Sequence, residues 1–118
     1  MKRLSESRQV EESQGVLCAS VREGSPTLVL INAGEKRWVM PWIHFLYACY
    51  EDLHEFERIE LFFTSHDIVL EGYRFLELVK HLSSYKVEWI KCYDKRYVQL
   101  GPNDLPFVTK IVVEEKTE

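Results

Sequence analysis

Between Arg58 and Tyr93 the period of the hydrophobic residues changes once, and that change limits the folds open to the chain. Ile59, Leu61 and Phe63 alternate with Arg58, Glu60 and Phe62, the period of two expected of a strand with one buried face. Thr64, Ser65 and His66 interrupt the run. Alternation then resumes, with Ile68 and Leu70 on one face and Asp67, Val69 and Glu71 on the other, so the two runs read as a β-hairpin. Gly72 follows, a residue whose backbone freedom suits a corner between strand and helix. From there Phe75, Leu78, Val79 and Leu82 recur at spacings of three and four, the stripe of an amphipathic helix over residues 73–84 with Val79 at its centre. Arg74, Glu77, Lys80, His81 and Ser84 fall on its wet side. Lys86 to Tyr93, rich in Val87, Trp89 and Ile90, returns to strand.

The remaining segments add strands and turns. Val16–Val21, Thr27–Ile31 and Arg37–Met40 read as strands, the last two joined through Asn32-Ala33-Gly34-Glu35. Pro41 to Phe56 fits two patterns. Trp42, Leu46, Cys49, Leu53 and Phe56 have helical spacing, yet Trp42 to Tyr50 consists largely of strand formers. The favoured reading is a short turn at Pro41-Trp42-Ile43 and a strand over Phe45–Glu51. Arg96–Leu100 reads as a short strand, Gly101-Pro102-Asn103-Asp104 as a turn, and Phe107–Val113 as the last strand. The expected fold is α+β: a mainly antiparallel, twisted sheet of six to seven strands with one main helix, residues 73–84, on one face. Residues 1–14 read as a disordered tail, 15–114 as a single domain, and 115–118 as a charged tail.

Composition narrows the function classes. A chain of 118 residues is one domain by default, and its net charge of −4 gives no overall attraction for nucleic acid or an anionic membrane. The most apolar window, Trp38 to Tyr50, is interrupted by Pro41 and His44 and falls short of the ~20 apolar residues a membrane helix needs. Cys18, Cys49 and Cys92 form no C-x-x-C pair, which points to reduced thiols and a cytoplasmic protein. Cys49 and Cys92, in apolar strands, read as inert core thiols.

No catalytic constellation is legible. Ser65-His66-Asp67 has the residue types of a triad, but a triad histidine stands between partners from distant parts of the chain. His44, His54, His66 and His81 lack paired metal-ligand spacing, with His54 and His81 expected at the surface, and the five glycines form no phosphate loop. The chain therefore reads as a non-enzymatic binding or assembly module that needs no cofactor or metal. Phe62 and Val69 point away from the helix and form a possible interface, with Val108 or Val112 adding to it; a homodimer is the commonest way to use such a patch. The alternative is nucleic-acid binding through Lys91, Tyr93, Lys95, Arg96 and Tyr97, a basic run interleaved with aromatic rings.

Overall fold

The computed structural model describes residues 17–100 and 105–116; the expected tail over 1–14 and the turn over 101–104 lie outside the described residues. The described residues form eight strands, β1 (Ala19–Val21), β2 (Thr27–Ile31), β3 (Arg37–Pro41), β4 (Phe45–Asp52), β5 (Glu57–Phe63), β6 (His66–Tyr73), β7 (Val87–Lys91) and β8 (Phe107–Glu115). The α-helix α1 (Leu76–Ser83) lies between β6 and β7. The class is α+β as expected, but the strands divide into two four-stranded sheets, ordered β1-β7-β2-β3 and β4-β5-β6-β8. The second sheet is antiparallel throughout. In the first, β2 and β7 run parallel, and the other pairs are antiparallel.

The division follows from the corner at Pro41. Trp42–His44 forms a 3-10 turn, and Trp42 anchors it: its Nε1 donates to the Val87 carbonyl at 3.3 Å, and its ring packs against Phe45, Phe63 and Tyr85 at centroid distances of 5.2, 6.1 and 5.5 Å. The chain thus leaves one sheet at β3 and enters the other at β4. One core fills the space between the sheets and α1. It contains Leu28, Leu30, Val87 and Ile90 from the first sheet, Ile59, Leu61, Phe63, Ile68 and Leu70 from the second, and Phe75, Leu78 and Leu82. The two sheets also meet through the Tyr93 N–H, which donates to the Val108 carbonyl at 2.9 Å. Among the described residues no helix is long and apolar enough to cross a membrane.

Of the departures from the expected elements, three have the following local accounts. The helix starts at Leu76, not 73, because β6 continues through Tyr73 and Arg74 then takes a left-handed φ of 61°. Glu57 holds this start: its carboxylate accepts from the Phe75 N–H at 2.8 Å and the Arg74 N–H at 3.2 Å, doing the work of an N-terminal cap. Arg96–Leu100 is not a strand, for Lys95–Leu100 is a 3-10 turn. Asp94 closes it, its side chain accepting from the Arg96 N–H and its carbonyl from the Tyr97 N–H, both at 2.9 Å. The last strand reaches Glu115, which takes in the start of the expected charged tail.

Gly72 has a different role from the one its position suggests. It lies inside β6, at a register shift against β8, and its φ is not left-handed. What it provides is space. A Cβ at this position would run into the Phe107 carbonyl oxygen and sit 3.0 Å from the Phe75 ring.

Candidate functional site

The outer face of the β4-β5-β6-β8 sheet follows from the alternation within each strand. Ile59, Leu61, Phe63, Ile68 and Leu70 are buried, so Phe62 and Val69 point the other way and are half-buried. Register places Tyr47 beside Phe62, and Phe62 beside Asp67. The next row runs Cys49, Glu60, Val69, Val112, and the third Glu51, Arg58, Glu71, Lys110. Phe62 and Val69 are therefore diagonal neighbours. Val112 joins Val69, whereas Val108 belongs to the core and adds nothing to this face.

Tyr47 is the residue that sequence reasoning did not place here. Its ring stacks on Phe62 at a centroid distance of 4.5 Å and a tilt of 25°, yet 55% of its surface remains exposed. Leu46, which precedes it at the bulge, and Ile43 on the 3-10 turn are exposed by 53% and 85%. The signal was split across two segments, and only the β4–β5 register with its bulge at Leu46 brings Tyr47 opposite Phe62. Charges rim the patch. Arg58 contacts Glu71 at 3.1 Å and Glu51 at 3.8 Å, and Lys116 approaches Asp67 at 3.5 Å. Glu60 stands between Cys49 and Val69 and separates the aromatic pair from the valine pair.

Cys49 is a correction to the sequence reading. It is exposed, because β4 is an edge strand and Cys49 lies on the outer face; Cys18 and Cys92 are buried. Burial pushes the Cys18 thiol up from 9.0 to about 11, and it raises Cys92 in the same direction. Thiolate is the reactive form, so Ellman's reagent at pH 8 is expected to label Cys49 alone in the native protein. Cys18 and Cys92 should react only after unfolding; prompt release of a second equivalent from the native protein would contradict this burial.

The basic–aromatic run divides in two. Lys91 and Tyr93 join Trp89, Val29, Ile31 and Arg37 around a shallow depression of ≈ 380 Å³ on the first sheet's outer face. Lys91 meets Glu35 at 3.1 Å and lies 5.2 Å from the Tyr93 ring centroid; Arg37 approaches the same Glu35 at 3.8 Å. Lys95, Arg96 and Tyr97 sit on the following 3-10 turn, where Arg96 packs over Tyr97 at 5.1 Å and beside Asp94 at 3.9 Å. At the hairpin tip Ser65 Oγ lies 2.7 Å from His66 Nδ1, while Asp67 engages Lys116. His44 and His54 are exposed; His66 and His81 are half-buried, His81 contrary to expectation, since it lines a cavity beside Leu78 and Pro106. No protein-family model, curated protein or solved structure matches this chain.

Proposed function

We propose that this protein is a non-enzymatic, cytoplasmic binding or assembly module that acts as a homodimer, joined through the outer face of the β4-β5-β6-β8 sheet. The observation that carries the reading is the Tyr47–Phe62 stack, two large rings held on a sheet face that no described element covers. Exposed apolar side chains with a charged rim are the usual form of an association surface, and a two-fold axis is the commonest way to bury one. The three thiols are unpaired, in keeping with a reducing compartment.

The test is Phe62→Glu. Phe62 points away from the core, so the new carboxylate stays solvated in the monomer and is forced between apolar groups only in the dimer. The wild type is expected to sediment as a dimer, and the variant as a monomer with unchanged circular dichroism. A wild type that is monomeric at high concentration, or a variant that unfolds, would reject the reading. The nucleic-acid alternative draws on Trp89 and Tyr93 beside Lys91 and Arg37, but one carboxylate, Glu35, faces both cations. A gel shift on random DNA or RNA that weakens steeply with salt would favour it instead.

A further inference from the structure

β4 has a second exposed feature, its edge. Among the described residues it pairs with β5 only. The ladder ends where the Leu53 N–H donates to the Phe56 carbonyl, and antiparallel bonding alternates. Tyr47, Cys49 and Glu51 therefore direct their backbone groups toward β5. Ala48, Tyr50 and Asp52 direct theirs outward, where they have no backbone partner among the described residues. Natural sheets blunt such edges with lysine, proline or cover. The other edges here are short, as in β1, end in proline, as in β3, or are partly covered, as where Tyr93 bonds to Val108 of β8. From Tyr47 to Tyr50 β4 has none of these devices.

Beside this edge runs an apolar groove of ≈ 220 Å³, lined by Phe45, Ala48, Tyr50, Ile59, Val79 and Leu82. It is smaller than the roughly 300–1,000 Å³ of small-molecule sites. Ala48 shows how open it is: its side chain points to the core side of the sheet, yet the residue is exposed.

We infer that the β4 edge and the groove beside α1 bind an extended peptide by strand addition, taking up two apolar side chains two residues apart and a lysine or arginine beside Asp52. The geometry follows from the edge. Residues of an added strand that bond to Ala48 and Tyr50 point their side chains to the same side as those two, into the groove and against Val79 and Leu82. The residue opposite Asp52 points to the same side of the sheet as the Asp52 carboxylate and meets it there. A second copy of β4 fits less well. In a symmetric pair about Cys49 or Tyr50, Asp52 of each copy would face Leu46 or Ala48 of the other, a carboxylate placed against apolar groups. This inference rests on the binding-module reading but uses a different surface from the Tyr47–Phe62 face.

The test is fluorescence anisotropy with the capped, labelled peptide KTITLT, whose antiparallel addition puts lysine opposite Asp52 and isoleucine and leucine in the groove. Ala48→Pro removes an outward N–H while leaving the β5 ladder intact, since proline is tolerated on edges. The peptide is expected to bind the wild type, and Ala48→Pro to weaken it about tenfold or more. Asp52→Asn should weaken the lysine peptide but not a version with alanine in its place. Methylating the peptide's backbone nitrogens along one edge should abolish binding, and this arm decides the matter if Ala48→Pro does not fold. Absence of binding to the wild type, equal binding to Ala48→Pro, or equal binding of the methylated peptide would overturn the proposal. Sedimentation separates the two surfaces: Ala48→Pro leaves a face-to-face dimer in place, and Phe62→Glu leaves peptide binding in place.

Discussion

Gly72→Ala is expected to destabilise the protein by roughly 3 kcal/mol or more, the upper range of overpacking effects, although it adds a single methyl group. The added Cβ meets the backbone carbonyl of Phe107, and its other close neighbour is the Phe75 ring, 3.0 Å away in the buried core. A flexible side chain could move aside; a carbonyl on a paired strand moves only if β8 moves. β6 and β8 pair from His66 to Tyr73, and the register shift at Gly72 is supported by Thr109 Oγ1, which donates to the Glu71 carbonyl at 3.1 Å. The substitution therefore separates two strands and disturbs the seat of Phe75 in one step. Other glycines serve as controls. Gly34→Ala should be nearly neutral, since its Cβ would meet only Asn32 Oδ1 at 3.6 Å, an ordinary contact. Gly24→Ala should cost about 1 kcal/mol, because Gly24 has a φ of +77° in open space. Urea midpoints for the three variants check the order. A Gly72→Ala midpoint no lower than that of Gly34→Ala would show that the approach of Phe107 is not tight.

Gly72 also marks how far the sequence could be read. The period change between Phe63 and Phe75 located the hairpin and the helix, because burial of one face leaves its record in every second or every third and fourth residue. The same alternation separated Phe62 and Val69 from the core. It did not reveal why Gly72 is glycine, since a backbone corner and a close approach to a distant strand leave the same single letter. Nor did it reveal the second sheet. The break between sheets at Trp42 depends on a hydrogen bond to Val87, a residue 45 positions away. Tyr47 escaped notice for a similar reason: a bulge at Leu46 resets the face of β4, and a one-residue insertion is invisible to a period of two. Cys49 was assigned to the core because an apolar neighbourhood suggests burial, whereas an edge strand leaves such residues in solvent.

The helix face gives the second large effect. Sequence spacing put Val79 at the centre of the buried stripe, but the structure rotates the helix slightly: Phe75, Leu78 and Leu82 are buried and Val79 is half-buried, at the rim of the groove beside β4. Leu78→Asp is therefore expected to abolish folding, because it forces an unpaired carboxylate into the core between the two sheets, a cost comparable with the ~5–15 kcal/mol stability of a whole domain. Lys80→Asp should remain folded. Lys80 is exposed, and its ion pair with Glu77 at 3.2 Å is of the surface kind worth ~0–1 kcal/mol. Some loss is still expected there, since an aspartate would repel Glu77 and lie in the half of the helix where negative charge is unfavourable. Val79→Asp should fall between the two, since water can reach a carboxylate in the groove. Circular dichroism and urea titration of the three variants read the helix orientation directly. If Val79→Asp proved more damaging than Leu78→Asp, then Val79 and not Leu78 would point into the core, and the groove along β4 would be closed.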